Sequence, residues 1–166
     1  MIRAIMNRKH NITIIALFIF GTFLFPTSPV HAQRVDMVRF TTLVNKGVEK
    51  AVFKALEDKI QEYKDYHFHM PYLQYAFIDL NFDGKNEVIA RFQGDYIFID
   101  RHGNTDTYFF AQTSKGLLPI LEEQTSKIGL GRANAGGLRD IYIYKKPNIK
   151  QPLIYKWDGK KKYIKE

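Results

Sequence analysis

"FIDLNFDGKNEVIARF", residues 77–92, sets two short apolar runs on either side of a loop rich in acidic and amide side chains. The flanking runs are β-branched or aromatic and too short for helices, so they read as two strands of a hairpin. Counting Asp79 as position 1, oxygen-bearing side chains stand at positions 1, 3, 5 and 9 (Asp79, Asn81, Asp83, Glu87), with Gly84 at 6 and the Lys85 main-chain oxygen available at 7. Calcium takes six to eight oxygen ligands, and alternate residues of a tight loop converge on one point when a glycine allows the bend. An EF-hand would also need a bidentate Glu at position 12, where this chain has Ala90, and helices on both sides. The simpler alternative is an Asp-Gly turn in which Asp79 and Asn81 cap backbone N–H groups.

Outward from this hairpin the same rhythm continues. Tyr72–Ile78, Glu87–Phe92, Tyr96–Asp100, Thr107–Phe110, Asp140–Tyr144 and Pro152–Trp157 are short, β-branched or aromatic, and bounded by Gly, Asn, Asp or Pro. Asp158-Gly159 predicts a two-residue hairpin leading into Lys160–Ile164, and Arg101-His102-Gly103-Asn104 a turn of the same kind. Lys115–Gln124 is expected to add a helical turn, and Gly129–Gly137 to form a glycine-rich loop whose backbone approaches another element. On the N-terminal side, Phe40, Leu43, Val44, Val48, Val52, Leu56, Ile60 and Tyr63 are spaced by threes and fours and predict an amphipathic helical region from Val35 to Tyr63, split at Gly47. The expected fold is α+β: an N-terminal helical region packed on a six- to seven-stranded antiparallel β meander.

Residues 1–32 read as a signal peptide. Arg3, Arg8 and Lys9 precede an uncharged run from Ile12 to Phe25, and Val30-His31-Ala32 forms a small-residue cleavage site. That run is about 14 residues, against roughly 20 for a bilayer span, so no stable membrane span is expected after cleavage. Residues 33–166 then form a single domain, periplasmic or secreted. Arg3, Arg8 and Lys9 leave with the signal and no acidic residue does, so the formal charge falls from +8 to +5. The remaining excess gathers in Lys145, Lys146, Lys150, Lys156, Lys160, Lys161, Lys162 and Lys165, which read as a solvated strand edge guarded against pairing. Nucleic acid is not an expected partner.

The chain has no cysteine. Catalytic thiols, zinc-thiolate sites and iron-sulfur clusters are excluded, and an exported fold must rest on its core and on any bound ion.

The hairpin resembles the strand, Asp-x-Asn-x-Asp-Gly-x-x-Glu loop, strand unit of FG-GAP and VCBS calcium-blade repeats. It resembles still more the single copy of that unit in small exported bacterial proteins of unassigned role. Those proteins carry a Gly-x-Arg-Asp-Ile strand and a Trp-Asp-Gly-x-x-Tyr hairpin downstream; "GGLRDIYIYKK" (136–146) and "YKWDGKKKY" (155–163) stand here in that order. The likeness covers about residues 75–164 and implies a structural calcium ion at Asp79, Asn81, Asp83 and Glu87. In place of the cysteine-containing loop of many relatives stands "RFQGDYIFIDRHGN" (91–104).

Other chemistry is sparse. His67 and His69 alternate, so on a strand they would share one face at a spacing that suits a metal. Arg132 and Arg139 would grip a carboxylate or phosphate, or Arg139 would enter a cross-strand ion pair. No serine lies in a nucleophile elbow, and nothing selects a carboxylate pair, since Glu122 and Glu123 are adjacent. The expected function is therefore non-enzymatic: an exported binding or envelope protein acting on a protein or envelope polymer, with Tyr72, Tyr75, Tyr96, Tyr142, Tyr144, Tyr155 and Trp157 as candidate interface aromatics. The alternatives are a periplasmic inhibitor or immunity protein against a cell-wall hydrolase or toxin, and a small cell-wall hydrolase.

Overall fold

The computed structural model describes residues 35–67, 69–93, 96–133 and 137–166; the signal-peptide reading of residues 1–32 lies outside them. The fold is α+β with antiparallel strands in meander order. Two helices, α1 (Lys46–Ala55) and α2 (Glu57–Tyr66), precede the main run of strands. A four-stranded sheet follows in the order β2 (Leu73–Ile78), β3 (Glu87–Phe92), β4 (Thr105–Thr113) and β5 (Gly116–Thr125). A five-stranded sheet holds β1 (Asp36–Met37), β6 (Lys127–Ala133), β7 (Arg139–Tyr144), β8 (Leu153–Trp157) and β9 (Tyr163–Lys165), in that spatial order. No helix among the described residues is long and apolar enough to cross a membrane.

The four-stranded sheet is covered on both faces. Tyr75, Ala90 and Tyr108 lie opposite one another across β2, β3 and β4 and belong to a core shared with Val52, Leu56, Ile60 and Tyr63 of the helices. The next row, Ala76, Ile89 and Phe109, faces a second core with Ile128, Leu130, Ile141 and Ile143 of the other sheet. A strand covered on both sides is apolar throughout, which is why "EVIARF" and "YFF" show little alternation. In each row the alanine leaves room for the larger side chains beside it.

Six local expectations are corrected. The helical region begins at Lys46, because residues 36–41 close sheet edges instead: Asp36 and Met37 pair with β6, and Thr41 exchanges two hydrogen bonds of 2.8 Å with Tyr75 of β2. The break falls at Leu56 (φ −111°, ψ 22°) rather than Gly47, which sits in the first turn. There Asn45 Oδ1 accepts the Gly47 and Val48 N–H groups, and the missing Cβ keeps the cap uncrowded. After a turn at Lys115, the expected helical stretch is strand from Gly116 onward: a bulge pairs Phe109 with Leu121 and Phe110 with Pro119, so the successive Ile120 and Leu121 are both buried and the period of two is broken.

The glycine-rich stretch is likewise mostly strand β6, with Asn134–Gly136 outside the described residues. Tyr96–Phe98 forms a 3-10 turn that inserts Phe98 against Phe92, ring centroids 3.6 Å apart, and only Ile99 bridges back to Thr105. The β8–β9 hairpin exists, but its loop runs from Asp158 to Lys162: Asp158 Oδ1 accepts the backbone N–H groups of Lys160, Lys161 and Lys162.

Candidate functional site

The loop between β2 and β3 is built from its own side chains. The Asp79 carboxylate accepts the N–H groups of Asp83 (3.1 Å) and Gly84 (2.9 Å), and Asn81 Oδ1 accepts that of Asp83 (3.0 Å). Asp83 in turn accepts the Lys85 N–H (2.8 Å) and the Asn81 side-chain amide (3.1 Å). Two residues are left-handed, Gly84 at φ 82° and Phe82 at φ 59°. For a bulky aromatic this is an uncommon conformation, held here by the bonds on either side of it.

Glu87 is the buried member, 8 % exposed, and accepts the Leu80 N–H at 2.7 Å. Burial raises its pKa; the backbone bonds oppose that shift, while the charges of Asp83 and Asp79 add to it. Leu80 is wholly buried between the sheets, and its carbonyl accepts the Arg139 N–H at 2.8 Å. The loop is thus tied into β7 of the other sheet.

Asp79, Asn81, Asp83 and Lys85 therefore lie on one loop, and Glu87 opens the strand that follows it. The donor set is all oxygen, as a hard cation requires, and each carboxylate oxygen that accepts one N–H keeps a second lone pair. Its chemistry fits calcium. Among the described residues no group of three or more His, Asp or Glu side chains is gathered closely enough to hold a metal ion as it stands.

The remaining candidates are dispersed. His67 and His69 lie in the α2–β2 connection rather than on a strand, and both gather on Tyr63: His67 stacks on its ring at 4.4 Å, and His69 Nδ1 stands 3.2 Å from its hydroxyl. Arg139 pairs with Asp36 of β1 at 2.7 Å and donates to the Gly131 carbonyl at 2.8 Å, closing a sheet edge. Of the interface aromatics, Tyr75, Tyr142 and Tyr155 are buried, Tyr144 and Trp157 are half-buried, and only Tyr72 stands out at 73 % exposed; the Tyr96 side chain lies outside the description.

One polar cluster escaped sequence reasoning. Glu123 on β5 reaches across to the other sheet, where Lys145 (2.5 Å) and the Tyr155 hydroxyl both donate to it. Burial alone would raise its pKa, but these bonds hold it below the ordinary carboxylate value, and burial together with the Glu123 bond raises that of Tyr155. Glu122 faces the other way and pairs with Lys59 of α2 at 3.8 Å. Once this stretch is read as strand from Gly116 onward, the alternation of adjacent glutamates is the signal that separates their roles.

Comparison with protein-family models, with curated proteins and with solved structures finds no match for this chain.

Proposed function

We propose that the chain is an exported, non-enzymatic binding or envelope protein whose 79–87 loop takes up one structural calcium ion. The observation that carries this reading is the set of three carboxylates and one amide in a nine-residue loop, with the innermost carboxylate, Glu87, destabilised as an anion by burial and by its acidic neighbours. Asp79, Asn81, Asp83 and Glu87 would hold the ion through their side chains and Lys85 through its main-chain oxygen. A bound calcium ion supplies positive charge to a loop that has an excess of negative charge. The loop's own residues do the rest: Glu87 anchors Leu80 in the inter-sheet core, and Asp79 closes the turn onto Gly84. Export is supported by the basic and apolar leader of residues 3–25, and a structural ion by the lack of any cysteine to brace the fold.

The test is calorimetric titration with calcium beside thermal melting of the wild type and Asp83→Ala. At extracellular-type affinity, 10 mM calcium is expected to stabilise the wild type by about 1 to 3 kcal/mol. The variant should gain little. Absence of both heat and a melting shift in the wild type would reject the calcium reading. Capture of partners from periplasmic extract addresses the narrower inhibitor function.

A further inference from the structure

Residues of both helices, together with Met70 beyond them, line a groove of about 450 Å³. Its apolar lining is Phe53, Ile60 and, at the edge, Met70, and three lysines, Lys50, Lys54 and Lys64, stand around it with a single acid, Glu57. All three lysines are exposed, and among the described residues none enters an ion pair or hydrogen bond. Lys50 and Lys54 stand one helical turn apart, an arrangement that is mutually repulsive. Met70 is 44 % exposed beside them, an apolar side chain that the fold leaves in water at the groove's edge. Among the described residues these three cations share one lining acid, Glu57, and nothing covers the apolar side chains between them.

We propose that this groove is a docking site for an acidic peptide segment of a partner protein, seated through apolar side chains on Phe53, Ile60 and Met70 with its carboxylates against Lys50, Lys54 and Lys64. Charge selects an anionic occupant. Among anionic occupants, a concave site takes a chain more readily than a flat lipid surface, and an apolar lining serves side chains that a polyphosphate or phosphorylated glycan does not have. This is the helix-in-groove or strand-in-groove mode of peptide recognition, with apolar anchors setting affinity and the charged rim steering encounter. The inference rests on the reading of the chain as a binding protein and is independent of its calcium loop.

The experiment is fluorescence anisotropy of a labelled peptide alternating glutamate with leucine and phenylalanine, titrated with the purified protein in chelator and again in calcium. Two comparison probes are an all-glutamate peptide of equal length and vesicles containing phosphatidylglycerol. Lys50→Glu/Lys64→Glu is expected to weaken peptide binding about tenfold or more, whereas Lys160→Glu/Lys161→Glu on the β8–β9 loop leaves it unchanged. Binding should fall as salt rises and be the same with and without calcium. The proposal is overturned if the peptide does not bind at low salt, if the groove variant binds as wild type, or if the all-glutamate peptide or the vesicles bind equally well. Because the titration is run in chelator, a negative result there leaves the calcium reading standing, and a failed calcium titration leaves the groove standing.

Discussion

At the scale of single residues, Glu87 separates the two roles of its loop. Its pKa is raised by burial first, and by Asp83 and Asp79 besides, so the folded state binds this proton more tightly than the unfolded chain does. The stability that comes from this group is present below the ordinary glutamate pKa and is lost as pH rises through the raised value. Glu87→Gln keeps an acceptor for the Leu80 N–H and removes the charge. In chelator at pH 7 the variant should therefore melt at or above the wild type, whereas in 10 mM calcium the order should reverse; a variant equally destabilised in both solutions would show that only the hydrogen bond matters. The loop's residues were legible because alternating acidic side chains with a glycine make a local pattern. At Gly129 the close approach of another element was legible, but the strand that carries it was not. A Cβ there would lie 2.3 Å from Val35 Cγ1 and 3.3 Å from Tyr144 Cε2. Gly129→Ala should loosen β1 and cost about 1 to 3 kcal/mol, seen as faster amide exchange at Val38 and a lower melting temperature.

At the scale of elements, strands with β-branched cores announced themselves, and those that break alternation did not. β3 was read with its observed bounds, while β5 was missed because its bulge sets two buried residues side by side, and Pro119, a poor strand residue, is tolerated on an edge strand at that bulge. Reading β5 as helix hid what it carries. Glu123 ties this strand to Lys145 and to Tyr155 of β8, so one carboxylate joins the two sheets. Its pKa is depressed in the fold despite the opposing effect of burial, so the stability it contributes is present above the ordinary glutamate value and is lost as pH falls through the depressed one. Glu123→Gln should cost about 1.5 to 3 kcal/mol at pH 7, the range for hydrogen bonds to a charged group. Denaturant midpoints followed downward in pH should show wild type and variant converging as Glu123 is protonated. Tyr155→Phe should give part of the same loss, and its effect should shrink in the Glu123→Gln background because the two groups share one bond. A cost that stays constant across that pH range would assign the effect to packing alone.

At the scale of the whole described fold, the sequence announced the α+β class and the antiparallel rhythm, but not the division into two sheets. Strand patterns show which residues are apolar, and a strand covered on both faces looks the same whether its second cover is a helix or another sheet. The division has an energetic consequence. β3 and β4 supply adjacent residues to different cores: Phe110 faces the helices and Phe109 the second sheet, each fully buried. A backbone displacement that loosens one of these rings moves its neighbour through a single peptide unit, so the two cores cannot melt independently. Phe109→Leu and Phe110→Leu are each expected to lower stability by about 1 kcal/mol or more while leaving one calorimetric transition whose van't Hoff and calorimetric enthalpies agree. Two resolved transitions, with Phe109→Leu moving only one of them, would mean that the helices and the outer sheet unfold separately and that the shared sheet does not couple them.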